Sequence, residues 1–245
     1  MRLIRAKNYD DMSLKAANII AAQVSLNPKS VLGLATGSTP IGTYRHLVEW
    51  YQKGELDFGK AVSINLDEYC GLSGEHPQSY RRFMRENLFN HINIPADRSF
   101  LPDGTQTDSV LECARYVRIN EEHNGIDLQL LGIGRNAHIG FNEPDSCFAC
   151  GTHQVILTES TIAANTRFFE DEAQVPRKAY SMGMQAIMQA KRVLLIASGA
   201  AKAEAIRNSF FGPVTPQVPA SILQLHRDVI VIADEAALAD CPAEA

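Results

Sequence analysis

The stretch Gly132-Ile133-Gly134-Arg135-Asn136-Ala137-His138-Ile139-Gly140-Phe141-Asn142-Glu143-Pro144 is the most informative part of the chain. Its glycines allow close backbone approach, and Asn136, Asn142 and Glu143 surround His138 with amide and carboxylate groups able to fix its tautomer. A lone histidine is usually a satisfied structural residue, but three polar partners in a glycine-rich loop after a strand favour a functional one. Asp67 follows the apolar run Val62-Ser63-Ile64-Asn65-Leu66. A carboxylate held at a strand end and partly desolvated suits a base for a carbon acid next to a carbonyl; the alternative is an Asp that caps the following turn. Thr36-Gly37-Ser38-Thr39 stands before Pro40 and a helical pattern. Its amides and hydroxyls could cradle an oxyanion at the positive helix end, or form an ordinary Ser/Thr cap. The loop matches neither a Walker motif nor a dinucleotide fingerprint, so a small phosphate ester fits it better than a nucleotide. Arg167 and Lys202 are candidate phosphate cations, a fork-shaped donor and a point charge, although either alone would read as a surface residue. Cys147-Phe148-Ala149-Cys150, with His153 beyond, has spacing that can bind zinc or run redox chemistry. A structural zinc site needs four ligands, and without a second Cys pair the blander expectation is buried small residues and no metal.

These groups need elements to bring them together. Apolar residues at helical spacing from Met12 to Val24 precede the continuous apolar run Val31–Ala35, a strand covered on both faces, and helix resumes from Pro40. The alternation continues with strands over 61–66, 126–131, 193–197 and 228–233 and helices over 80–90, 110–122, 182–189 and 201–210. This βαβ rhythm predicts one α/β domain over 1–245: an open, mostly parallel, doubly wound Rossmann-like sheet with helices on both faces. The loops that begin at Thr36, Asp67, Gly132 and Ser198 each start where an apolar strand ends. In such sheets the ligand crevice lies outside the carboxyl ends of the strands, so four chemically loaded loops should meet at one edge.

With 245 residues and 45% hydrophobic side chains, the chain can bury about three-quarters of its unfolded surface around one core. The formal net charge of -5, without a Lys/Arg cluster, argues against a nucleic-acid or anionic-membrane partner, so an anionic substrate must be held locally. There is no signal-like N-terminal run and no apolar stretch of the ~18 residues needed to span a bilayer. The five scattered cysteines fit a reducing compartment, and the cytoplasm is expected.

The segments Gly33–Pro40, Asn65–Tyr69 and Gly132–Pro144, the contexts of Arg167 and Lys202, and Leu223-Gln224-Leu225-His226 resemble the glucosamine-6-phosphate deaminase family over nearly the whole chain. The resemblance implies a substrate of the amino-sugar phosphate class, glucosamine-6-phosphate, and no organic or metal cofactor. It assigns Asp67 as the base at C2 and C1, His138 as the ring-opening group held by Asn136 and Glu143, and Thr36, Gly37, Ser38, Thr39, Arg167 and Lys202 as the phosphate site. Some members carry Asp at the position of Asn136, and Ala137 stands in place of the usual Gly. Longer hexameric members bind an acetylated amino-sugar phosphate allosterically through an Arg and a Lys that align with His153 and Val155, and through a C-terminal extension. The resemblance therefore implies a non-allosteric enzyme, monomeric or homo-oligomeric. The polar stretch 160–176 is expected to act as a lid. Rival readings on the same scaffold are a galactosamine-6-phosphate deaminase, a 6-phosphogluconolactonase and a non-catalytic sugar-phosphate sensor; the sensor reading calls for a helix-turn-helix segment and degraded catalytic residues.

Overall fold

A computed structural model describes residues 1–166, 169, 171 and 174–242, with the backbone alone for Ser160, Ala164 and Asn165. Seven strands form an open sheet: β1 (Arg2–Ala6), β2 (Val31–Leu34), β3 (Val62–Asn65), β5 (Ser99–Phe100), β6 (Leu128–Leu131), β9 (Arg192–Ala197) and β10 (Val229–Asp234). Their spatial order is β1-β10-β9-β6-β2-β3-β5 and every pairing is parallel. All residues of β2, β3, β6 and β10 are buried, as expected of strands covered on both faces. The helices α1 (Tyr9–Leu26), α2 (Ile41–Gln52), α3 (Tyr80–Asn87), α4 (Ser109–Glu122), α5 (Glu159–Asn165), α6 (Met184–Gln189) and α7 (Ala203–Phe211) surround this sheet. The expected doubly wound α/β class is what the chain adopts. Among the described residues no helix is long and apolar enough to cross a membrane.

From β2 the chain moves outward through β3 to β5, then returns to β6 on the other side of β2 and continues to β9 and β10. The loops after β2 and β6, Thr36–Thr39 and Gly132–Pro144, thus flank a reversal of strand order, where an open α/β sheet opens a crevice. The seam is short, with only Leu32↔Leu128 and Gly33↔Gln129 in register. Asp127 extends it: its backbone N–H donates to the Val31 carbonyl at 2.9 Å, and its carboxylate accepts from the Val31 N–H at 2.8 Å and from Lys191 Nζ at 2.7 Å.

Several features differ from the sequence reading, among them the short strand β5, which was not expected. β1 was not expected, because Arg2 and Arg5 interrupt a five-residue stretch; it is an edge strand, where such charges discourage pairing with another chain. A separate antiparallel sheet of β4 (Asp67–Tyr69), β8 (Lys178–Ser181) and β7 (His153–Ile156) was also missed, since its strands have three or four residues and mixed polarity. The expected helix 182–189 begins later, at Met184, because β8 occupies the residues just before it. Leu66 joins the two sheets. Its N–H donates to the Leu34 carbonyl at 3.2 Å in the large sheet, and its carbonyl accepts from the Met182 N–H at 2.7 Å, next to β8. A second hydrophobic cluster, including Tyr69, Phe141, Leu157, Ile162 and Val175, packs around the small sheet.

Asp127→Ala would leave the buried Val31 N–H without its side-chain acceptor. We expect a loss of about 1–3 kcal/mol, read as a lower urea midpoint at unchanged slope. A midpoint equal to that of the parent protein would show that the seam does not need this carboxylate.

Candidate active site

Leu66 hands the chain from one sheet to the other, and the residue set at that junction is Asp67. It is 7% exposed, and among the described residues its carboxylate accepts no hydrogen bond. It therefore does not cap a turn, and the alternative reading of this residue falls away. Burial, reinforced by the neighbouring Glu68, pushes its pKa up to about 8. Glu68 is also buried, and desolvation raises it to about 7 even though it accepts backbone N–H bonds from Tyr69, Tyr80 and Arg81, each at 2.9 Å. Those bonds tie the start of α3 to β4. Tyr80 then stacks on Phe141 with ring centroids 6.0 Å apart, and Tyr69 fills the space beside both rings.

The loop after β6 folds back on itself, with the Gly134 N–H donating to the His138 carbonyl at 2.9 Å and the Ala137 N–H to the Gly134 carbonyl at 3.1 Å. A Cβ on Gly134 would lie 2.3–2.6 Å from three atoms of the His138 imidazole, so only glycine lets the ring lie against this turn. Ala137 holds φ at 65°, a left-handed conformation that costs a non-glycine residue roughly 1 kcal/mol. The loop continues past Gly140, where an added Cβ would stand 3.6 Å from Asp67 Oδ2. One turn of chain thus links His138 to the Asp67 carboxylate.

The polar contacts in this loop determine the state of the imidazole. Glu143 accepts from Asn136 Nδ2 at 2.6 Å and from the Thr161 hydroxyl. A carboxylate only accepts, so the Asn136 amide must turn its nitrogen to Glu143 and its oxygen to His138. Asn136 Oδ1 lies 2.7 Å from His138 Nδ1, which must then be the donor, leaving Nε2 of the neutral ring as a proton acceptor. Burial alone would raise the Glu143 pKa, but nearby His138 and the bonds from Thr161 and Asn136 outweigh it and hold the carboxyl below its ordinary value. Its Oε2 is 3.6 Å from His138 Nδ1, close enough to support positive charge on the ring. Asn142, expected to help orient the histidine, instead donates to the carbonyls of Ile139 and Met182, at 2.8 and 2.9 Å, because its side chain is buried beneath the loop. Thr161 was not anticipated; in the sequence it is one hydroxyl in a polar stretch.

The other candidates divide in the same way. The N-cap of α2 is Pro40, with no side-chain capping bond, so the hydroxyls of Thr36, Ser38 and Thr39 do not serve as ordinary caps. The turn bends through Gly37 at φ 92°, and Tyr9 fixes it by donating to the Ser38 carbonyl at 3.1 Å and accepting from the Gly42 N–H at 2.8 Å. Lys202 sits at the start of α7, after β9, the strand next to β6. Arg167 lies outside the described residues, and with it part of the expected lid. Cys147 and Cys150 are exposed rather than buried, since their loop runs over the surface. Among the described residues no group of His, Cys, Asp and Glu is arranged to hold a metal ion. His153 and Val155, with Phe148, Met184 and Glu143 of the His138 loop, line a cavity of about 410 Å³ that among the described residues has no lysine or arginine in its wall.

Because folding raises the Asp67 pKa, the native chain keeps this proton between about pH 4 and pH 8 while the unfolded chain releases it. The native state binds more protons in that window, so stability falls as pH rises through it. We expect Asp67→Asn to be more stable than the parent at pH 9 by on the order of a few kcal/mol, and close to it at pH 4, in paired thermal melts. A difference that does not change with pH would contradict the assigned pKa.

The model of a family described as glucosamine-6-phosphate isomerases/6-phosphogluconolactonase matches residues 6–232. A glucosamine-6-phosphate deaminase of Lachnoclostridium phytofermentans is 60% identical over 232 residues, covering 95% of this chain and 98% of that one. One of Clostridioides difficile is 56% identical, covering 97% and 95%. Among solved structures, a monomeric glucosamine-6-phosphate deaminase superposes with a TM-score of 0.96 at 44% identity, covering 98% of this chain and 100% of that chain. The 6-phosphogluconolactonase of Thermotoga maritima, at 17% identity and a TM-score of 0.72, shares the fold. With the family model matching most of its length and relatives this close, the chain belongs to the glucosamine-6-phosphate isomerase/6-phosphogluconolactonase family.

Proposed function

We propose that this protein is a glucosamine-6-phosphate deaminase, converting glucosamine-6-phosphate and water to fructose-6-phosphate and ammonia. The observation that carries the reading is Asp67: a buried carboxylate without a hydrogen-bond partner among the described residues, beside a loop that holds His138 with Nε2 free to accept. Carbon-acid chemistry needs a base of raised pKa, which solvation or an ion pair would spoil, while ring opening needs a neutral imidazole nearby.

In this reading His138 Nε2 takes the proton of the anomeric hydroxyl and returns it to the ring oxygen, opening the pyranose. Asn136 and Glu143 hold the tautomer and stabilise the transient imidazolium. Asp67 removes the C2 proton, leaving a C1–C2 enolamine, and gives the proton back at C1. The resulting C2 imine is hydrolysed by water to the ketose phosphate and ammonia. Thr36, Gly37, Ser38, Thr39, Arg167 and Lys202 hold the phosphate, whose binding energy places C1 and C2 between the two bases. No step calls on a metal or organic cofactor. Asn136 passes on orientation without adding a second carboxylate, which suffices because Glu143 supplies the charge.

The buried Asp67 and the polar loop favour the deaminase over the lactonase, whose ester hydrolysis has no C–H bond to break. We further read the enzyme as a single catalytic domain that works as a cytoplasmic monomer. Its cavity beside His153 and Val155, with no lysine or arginine in its wall among the described residues, favours an enzyme without a charged grip there for a phosphorylated effector.

The test is release of ammonia and fructose-6-phosphate from glucosamine-6-phosphate without added metal or nucleotide. Asp67→Asn should lower kcat by at least ~100-fold, as expected when a general base is lost, and the parent kcat/KM should rise with pH along a limb near 8, shared between Asp67 and Glu68. An Asp67→Asn enzyme that turns over normally would end this mechanism, and activity on the galacto epimer alone would change the substrate.

Initial rates should also follow a hyperbola in substrate, with no response to an N-acetylated amino-sugar phosphate. A sigmoidal curve that this compound straightens would restore an allosteric site.

A further inference from the structure

Asp234 ends β10, one strand beyond β9, and is 5% exposed. Its carboxylate does not face the crevice residues but serves the turn that leaves β9. Oδ2 accepts from the Ser198 hydroxyl at 2.5 Å and from the Gly199 N–H at 3.2 Å; Oδ1 accepts from the same N–H at 3.0 Å and from the Ala237 N–H at 2.8 Å. Gly199 is held at φ 91°, a conformation that swings the chain out of the strand, and its carbonyl accepts from the Lys202 N–H at 3.0 Å. The first turn of α7 has no side-chain cap of its own. The conformation of the turn that delivers Lys202 is therefore imposed from a neighbouring strand, through one carboxylate with both oxygens committed.

We propose that Asp234 is a positioning residue for substrate phosphate: by clamping Ser198 and Gly199 it fixes where Lys202 and the amides at the start of α7 stand relative to the His138 loop on the adjacent strand. This rests on the reading of Lys202 as a phosphate ligand. The chemical argument is geometric. A lysine is a flexible point charge, so its usefulness to a phosphate depends on the backbone that carries it, and a residue needing a left-handed φ will relax once its restraint goes. Asn in place of Asp234 keeps the size but puts an N–H donor where Oδ1 or Oδ2 now accepts. The phosphate is unchanged while protons move at C1 and C2, so losing one of its several contacts, with the others still placing the sugar, should appear in KM more than in kcat.

The experiment compares Asp234→Asn, Lys202→Ala and the double variant, reading KM and kcat for glucosamine-6-phosphate and the inhibition constant of inorganic phosphate, with thermal melts alongside. We expect Asp234→Asn to raise KM and the phosphate inhibition constant together, by roughly ten-fold, with kcat within about two-fold. The double variant should be little worse than Lys202→Ala, because the clamp acts through that residue. If Asp234→Asn is too unstable to assay, Ser198→Ala, which removes one of the clamped donors, should show the same KM-selective change on a smaller scale. An Asp234→Asn enzyme with unchanged KM, a loss confined to kcat, or an effect that multiplies fully with Lys202→Ala overturns the proposal while leaving the phosphate site intact. A Lys202→Ala enzyme with normal KM removes the assignment of that lysine, and the clamp proposal with it.

Discussion

The active site depends on a backbone handover at Leu66. One residue cannot pair fully in two sheets, so its N–H remains with the parallel sheet and its carbonyl goes to the antiparallel one. The next residue is therefore enclosed from both sides. An Asp at that point loses its water without gaining a partner among the described residues, and its carboxyl is pushed into the range where it can both take and return a proton near neutrality. The same enclosure opposes folding once the group ionises, so reactivity and stability draw on one interaction in opposite directions.

His138 is prepared by the opposite means. Asp67 is kept without hydrogen bonds, whereas His138 stands at the end of a chain of them in which each group leaves the next a single role. The ordering starts at Glu143, passes through the amide of Asn136 and ends at the imidazole, with Thr161 holding the carboxylate from α5. Sequestering one group and orienting the other is how two titratable side chains brought in from different elements can be suited to different tasks. The close fit of the ring against Gly134, and the left-handed backbone at Ala137, show that the loop conformation is enforced by this network rather than by the preference of its residues.

A net negative protein that handles a phosphorylated sugar must supply positive potential locally. The loops at the strand ends that we propose for this task are held by residues of other elements: Tyr9 on α1 restrains the Ser38 turn and Asp234 on β10 restrains the Gly199 turn. Both restraints come from the side of the sheet where β1 and β10 pair, in register at Ala6 and Asp234. An edge that looks peripheral in the topology thus bears on the geometry of the centre.

The sequence by itself determined five of the seven strands of the main sheet and the residue types of the loops that follow them. Continuous apolar runs such as Val193–Ala197 can be accommodated only as strands buried on both faces, and the polar residues just beyond them must then collect at one edge. It also made Asp67, His138 and Glu143 recognisable as candidates from their neighbours along the chain. Tertiary structure alone decided the rest. The small sheet has strands of three or four residues with no periodicity to read, so their pairing exists only because distant segments meet. The desolvation of Asp67, the structural use of Asn142, the contribution of Thr161 and the clamp at Asp234 all depend on groups brought together from different elements. Solvation and hydrogen bonding are properties of a place in space, and sequence patterns report them only where the partners are also neighbours in the chain.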